Sequence, residues 1–267
     1  MHRWQVGDVD VVRIEDFDLP LPASAPLPDW CVPELAPTPD EYRIAFSALA
    51  LADGDRRIVV DPWLVTDRAT VDVVATADRL LGELSTAGFP PDEVDTVVYS
   101  HLDQIGWGTR PAGDDWVPAF PNATYLFPAE DLAAADAGED IPGREDFLHL
   151  CTVAPVDGVD APRAVSAAVS LEPTGGHGWG HLAVRIEDEG ALAYYLGHLL
   201  LHPRQFAVPG PDPEESSSYE RAAEARCRML DELADRAGLA LTTLVGGPGG
   251  GVVERDGDGF RLRFAPT

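Results

Sequence analysis

The 267-residue chain contains no lysine: all 19 of its basic side chains are arginine, set against 46 acidic ones, for a formal net charge of -27. A surface this acidic repels a phosphate backbone, because nucleic-acid binding draws on basic groups that displace counterions. No apolar run approaches the ~20 residues needed to span a bilayer, and no basic and apolar leader opens the sequence. The expected partners therefore exclude nucleic acid and membrane, and the expected location is the cytoplasm. Cysteine is scarce too. Cys31, Cys151 and Cys227 show none of the paired spacing of a zinc site or a disulfide framework and are read as free thiols.

What is present suits one soluble α/β domain spanning 1–267, since the length and a 45% hydrophobic content can supply a large core. Residues 43–52 and 57–61 read as a hairpin around Asp53-Gly54, and 67–88 as an amphipathic helix. Short β-branched and aromatic runs at 94–99, 125–127, 182–186 and 191–196 read as strands. Over 218–237, Ala223, Cys227, Leu230, Ala234 and Ala237 recur at helical spacing, with Gly238 as the stop, so Cys227 is expected in the core. Two segments rich in proline or serine, 19–39 and 208–218, are expected to be loops.

The chemistry gathers in two places. Ser100-His101-Leu102-Asp103-Gln104-Ile105-Gly106-Trp107 follows one strand, and Pro173-Thr174-Gly175-Gly176-His177-Gly178-Trp179-Gly180-His181 leads into another. Glycines around His177 let the backbone turn tightly and approach a bound group.

These segments resemble the metallo-β-lactamase-fold hydrolases, in particular the lactonase-like branch. Its first motif reads Thr-His-x-His-x-Asp-His-x-Gly-Trp and its second Pro-Gly-His-Thr-x-Gly-His. Further matches fall in order at 4–8, 58–62, 120–123, 197–205 and 251–259, so the resemblance covers nearly the whole chain. It implies a four-layer αβ/βα sandwich with the site at its edge, and loops at 19–39 and 208–218 covering a pocket.

The ligands implied by the resemblance carry over only in part. His101 and His177 match motif histidines. Aligned through Ile105-Gly106-Trp107, the first loop is two residues short; Asp103 takes the motif aspartate and Gln104 replaces a histidine. The bridging aspartate expected after Gly197 is His198, and Leu244 stands where the last histidine ligand belongs. The usual dinuclear centre is therefore not expected. Aligned without the deletion, Asp103 takes the place of a lost imidazole, and His101, Asp103, His177 and His198 could hold one zinc or iron ion.

Three functions stay open. The residues favour an enzyme without the usual metals, acting on a small organic substrate, for example in specialised metabolism, with His101, Asp103, His177 and His198 as acid and base groups for cyclisation, elimination, isomerisation or hydrolysis. The second is a hydrolase of a lactone, ester, amide or thioester with one metal ion, and the third a noncatalytic small-molecule binder. Trp30, Trp63, Trp107, Trp179, Gln104 and His202 are candidates to contact substrate, His202 also as a partner orienting a ligand. His2 and His149 read as structural or surface residues, and a homo-oligomer is compatible with all three functions.

Overall fold

The computed structural model describes residues 1–23, 26–62, 73–102, 108–141, 144–210 and 217–264. In chain order the first half comprises β1 (His2–Val6), β2 (Val9–Pro22), β3 (Glu41–Asp53), β4 (Arg56–Val60), α1 (Val73–Ala87) and β5 (Thr96–Val98). The small hairpin β6 (Thr109–Ala112) and β7 (Asp115–Pro118) follows, then β8 (Thr124–Pro128), α2 (Ala129–Ala137), α3 (Arg144–Val153) and β9 (Val156–Val159). The second half comprises β10 (Arg163–Ala164), β11 (Val169–Pro173), β12 (Leu182–Asp188), β13 (Ala191–Tyr195), α4 (Arg204–Ala207), α5 (Ser217–Asp235), β14 (Leu239–Leu241), β15 (Gly250–Asp256) and β16 (Gly259–Arg263).

Two seven-stranded sheets result, ordered β1-β2-β3-β4-β5-β8-β9 and β10-β11-β12-β13-β14-β15-β16. Hairpins join the antiparallel strands. Of the parallel pairs, β4–β5, β8–β9 and β13–β14 are linked through helices and β5–β8 through the β6–β7 hairpin, each a long crossover of the kind a parallel connection needs.

Period-two burial explains the layering. On the first sheet Val12, Ile14, Ala48, Ala50, Val59 and Val97 face outward onto Ala77, Leu80 and Leu84 of α1, Ala134 of α2 and Phe147 of α3. Their neighbours Val11, Leu49, Leu51, Ile58, Val60 and Val98 face inward and meet Val169, Leu171, Leu182, Val184 and Tyr195 of the second sheet. That sheet's other face, with Tyr194, Ala240 and Val253, packs on Ala225, Met229, Leu230 and Leu233 of α5. The order helix, sheet, sheet, helix is the expected four-layer αβ/βα sandwich.

The hairpin at Asp53-Gly54 forms with Asp53 opposite Arg56, and the expected strands at 94–99, 125–127, 182–186 and 191–196 appear as β5, β8, β12 and β13. The helix expected over 67–88 is described from Val73 to Ala87. Three expectations need correction. Residues 19–22 are not loop but the end of β2, paired with 41–44; β1 reaches only Arg13 on the other side, so the prolines at 20 and 22 sit on an edge that needs no ladder donor. The remaining segment carries a short 3-10 turn, Asp29–Cys31. Of 208–218, residues 217–218 open α5, while 211–216 lie outside the described residues. Cys227 is only half-buried: the buried stripe of α5 runs through Ala222, Ala225, Met229 and Leu233, about a third of a turn away. Cys151 is exposed, Cys31 is buried, and all three are free.

Arg13, wholly buried, staples β2 to the turn before β15. Its guanidinium donates to Ser47 Oγ at 2.9 Å, Gly247 O at 2.9 Å, Val245 O at 3.3 Å and Glu15 at 2.8 Å. Replacing it by methionine fills the volume and strands these acceptors, so Arg13→Met should lose about 3 kcal/mol in urea unfolding; a loss below about 0.5 kcal/mol would show that the staple contributes nothing.

Candidate functional site

Both halves send a loop to one edge of the sandwich. The first sheet delivers Ser100, His101 and Leu102 just beyond β5, and the second delivers His177 and His181 ahead of β12. His198 lies in a 3-10 turn, Gly197–Leu199, immediately after β13. The seam is hydrogen-bonded directly, Leu182 N–H donating to Ser100 O at 2.7 Å.

A single carboxylate does more. Asp131, buried in the first turn of α2, accepts Leu102 N–H at 2.6 Å and Gly180 N–H at 2.8 Å. It thereby fixes the backbone next to His101 and the loop that carries His177. A side chain at Gly180 would collide with Pro128 Cβ at 2.6 Å and Glu130, so the loop approaches α2 only with glycine there. Burial pushes the Asp131 carboxyl up to about 6, against the opposing pull of the two amides.

Three imidazoles converge. His101, His177 and His198 each offer a ring nitrogen, all within 4.8 Å of one another. Ring centroids lie 4.2 Å apart for His101 and His198, 4.8 Å for His101 and His177, and 5.0 Å for His177 and His198. His177 Nε2 and His198 Nδ1 are 3.1 Å apart.

The surroundings set which nitrogen carries each proton. Asp61 accepts Ser100 N–H, Ser100 Oγ–H and Tyr195 O–H at 2.6 to 2.7 Å. With its own proton on Asp61, Ser100 Oγ accepts from His101 Nδ1 at 3.0 Å, which leaves the lone pair of His101 on Nε2. His181 Nε2 accepts the backbone N–H of His198 at 3.1 Å, so its Nδ1–H faces Thr174 Oγ1 at 3.2 Å. A Cβ at Gly197 would come within 2.7 Å of His181 Nε2, which is why glycine precedes His198. Burial, reinforced by the neighbouring imidazoles, holds His181 and His198 well below the ordinary histidine value, so both rings are neutral at pH 7.

Helix α5 braces the same loops from outside. Arg226, buried, donates to Leu199 O at 2.8 Å and Pro209 O at 2.9 Å, and Arg221 reaches Gly175 O. Gly176 packs so closely that a Cβ would meet Ala222 N at 2.2 Å. Tyr219 sets its ring edge-on to His177, centroids 5.6 Å apart.

Of the residues singled out from sequence, His101, His177 and His198 come together. His202 stands apart, its ring 4.2 Å from Tyr42 and its Nδ1 accepting Arg204 N–H. Trp30 is half-buried with its ring edge-on to Phe206, and Trp179 is exposed beside His177. Asp103, Gln104, Trp107 and Trp63 lie outside the described residues. Leu244, which the resemblance aligns with a histidine ligand, is buried. His149 is exposed and contacts Trp116 O, and His2 stacks on Trp4. Sequence reading missed Asp61, Ser100, Tyr195, Asp131 and Tyr219 and gave His181 no role in the site. Only the Asp61-Pro62 match and the second histidine of the second motif hinted at any of them.

Fold and site together define the class: the chain has the metallo-β-lactamase fold. No family model and no curated protein matches the sequence. Among solved structures it is similar to AidC, a dizinc quorum-quenching lactonase, with TM-score 0.73 and 16% identity over 99% of this chain and 97% of that one. It is also similar to AbOPH, a hydrolase of the β-lactamase superfamily, with TM-score 0.68 and 17% identity over 99% and 98% of the two chains. A probable metal-dependent hydrolase from Staphylococcus aureus gives TM-score 0.71 and 13% identity over 99% and 100%.

Asp131→Asn keeps one acceptor but turns an N–H toward the other amide, and should lose about 1–3 kcal/mol. The carboxyl sits at about 6 in the folded chain against 3.8 unfolded. Its contribution is therefore fully present below about pH 4 and falls as pH rises through 6. The difference in urea midpoint between wild type and variant should be largest near pH 4 and shrink toward pH 7; a difference that grows with pH would contradict this assignment.

Proposed function

We propose that this chain hydrolyses a small organic acyl compound, a lactone, ester, amide or thioester, with one divalent metal ion held by His101, His177 and His198. The observation that carries the reading is the convergence of these three imidazoles, each with a ring nitrogen within 4.8 Å of the others. The donor set fits one ion. Nitrogens bound tetrahedrally to zinc at about 2.0–2.1 Å lie about 3.3 Å apart, close to the 3.1 Å between His177 Nε2 and His198 Nδ1. His101 needs a modest side-chain shift to complete the set. Three imidazoles with one open position are a donor set of catalytic zinc. Among the described residues no second group of three ligand-type side chains gathers, and His198 in place of a bridging carboxylate removes the anion a metal pair would share.

In this reading Ser100 and Asp61 keep the His101 lone pair on Nε2, while His181 fixes the turn that carries His198. A bound ion supplies Lewis-acid polarisation of a carbonyl and acidifies water at neutral pH. Trp179, exposed two residues after His177, and Tyr219, exposed with its ring edge-on to His177, offer apolar surface to the acyl part of a substrate. The dizinc lactonase and the metal-dependent hydrolase of similar fold support hydrolysis as the reaction class.

The 3.1 Å contact between His177 and His198 favours a second reading, metal-free acid–base catalysis, since each ring can satisfy the other. It is the weaker one. A ring held well below the usual histidine value is a poor base at neutral pH, yet remains a good ligand.

Turnover of a panel of lactones, esters, amides and thioesters separates the two. Chelation should abolish activity, zinc or iron should restore it, and His101→Ala, His177→Ala and His198→Ala should each lower kcat/KM at least about 10²-fold, with His149→Ala unaffected. Full turnover after chelation, lost in His101→Ala, would establish the metal-free reading; turnover indifferent to all three substitutions would refute both.

A further inference from the structure

The end of the sandwich away from the histidines holds a groove of about 240 Å³, walled by Trp4 of β1, Leu192 of β13, Leu239 of β14, Val252 of β15 and the turn Arg236-Ala237 that follows α5. Strand β13 begins at this groove and ends at Tyr195, three residues before His198, so a strand's length separates the two places. None of the side chains that form or brace the imidazole cluster lines it.

Its walls are apolar but not sealed. Trp4 and Leu239 are half-buried against the apolar cluster between the sheets and keep part of their surface in the groove. A Cβ at Gly250 would come within 3.1 Å of the Trp4 ring, so glycine gives the indole its seat. His2 stacks on the same ring with centroids 6.1 Å apart.

The rim carries backbone strain. Among the described residues four that bear a side chain have positive φ: Asp61, His177, Glu189 and Ala237. Asp61 and His177 belong to the histidine site. Glu189 precedes Gly190 in the tight turn between β12 and β13, where a hairpin ordinarily uses positive φ. Ala237, at φ 50°, follows the last turn of α5, which is closed by Gly238 N–H on Leu233 O at 2.7 Å. Glycine usually takes that position, because a Cβ disfavours it. Strain of this kind gathers where a ligand is held, and Ala237 lines the groove.

The walls define the ligand. A volume of about 240 Å³ holds one or two rings and is below what a drug-sized molecule needs, and an indole wall favours a flat aromatic partner. Arg236 is already neutralised, by Glu187 at 2.6 Å and Glu232 at 3.5 Å, so it offers N–H groups rather than net charge. Its fork has more N–H groups than these carboxylates and Gly190 O at 3.4 Å occupy. An anion meets a net charge of -27, and a cation would lose water to apolar walls beside a guanidinium.

We propose that this groove is a second binding site, for an uncharged aromatic molecule of one or two rings with a hydrogen-bond acceptor, its ring against Trp4 and its acceptor on Arg236. The site is independent of the hydrolase reading and takes a ligand that the histidines do not process.

Binding of acetophenone, which has no bond to hydrolyse, tests the site without any metal. In protein labelled with ¹⁵N, Trp4→Phe identifies the Trp4 indole signal among the six tryptophans. Acetophenone should move that signal saturably, and benzoate and benzylamine should bind at least about 10-fold more weakly. Val252→Glu, which puts a charge in the groove, should weaken acetophenone at least about 10-fold. Ala237→Gly should raise the urea midpoint by relieving the strain. It should also weaken acetophenone about 3- to 5-fold, as the loss of one methyl contact does; a merely structural alanine would change stability alone. If Trp4→Phe does not fold, the backbone amides of Ala191 and Val252 carry the same readout in the wild type. No saturable movement, equal binding of benzoate or benzylamine, or an affinity unchanged by both substitutions overturns the site and leaves the hydrolase reading to its own test.

Discussion

The site depends on one buried carboxylate. Asp131 holds the backbone beyond His101 and the loop beyond His177 by two amide hydrogen bonds, and these segments belong to different sheets. The sheets themselves are held by apolar packing, which is strong but not directional. Something directional has to set the distance between the loops, and the Asp131 clamp, aided by Leu182 N–H on Ser100 O and Tyr195 O–H on Asp61, does so. Desolvating the carboxylate costs stability, as its raised pKa records; the return is a fixed separation between His101 and His177.

Given that frame, the residues around the imidazoles assign their protons. Ser100 and Asp61 set the tautomer of His101, and His181 is tied by the backbone of His198. Four histidines so close cannot all be charged, and desolvation holds His181 and His198 well below the ordinary histidine value, which favours their neutral rings. In the proposed reading the ring nitrogens of His101, His177 and His198 would hold a single ion, with His198 and Leu244 standing where the resemblance implies a bridging aspartate and a histidine.

Much of the fold was legible in the sequence. The hairpin at Asp53-Gly54 follows from turn chemistry, and the strands of both sheets from β-branched runs. The cluster was legible as well: His101, His177 and His198 were named from motif positions before their proximity was known. What escaped depends on contacts across long stretches of chain. Asp131 in sequence is an ordinary acidic residue in a helix's first turn, and its partners lie 29 and 49 residues away. Tyr195 meets Asp61 across 134 residues. Cys227 was placed in the core because one helical stripe resembles its neighbour; the one that α5 buries is fixed by Met229 and Leu233 against the second sheet, which local periodicity does not reveal.

Metal content with X-ray absorption at the metal edge tests the central claim most directly, on protein purified without a metal-binding tag and then loaded with zinc. One ion per chain, surrounded by about three imidazole nitrogens at about 2.0–2.1 Å, is the expected result. Two ions per chain, or none retained after loading, would contradict it.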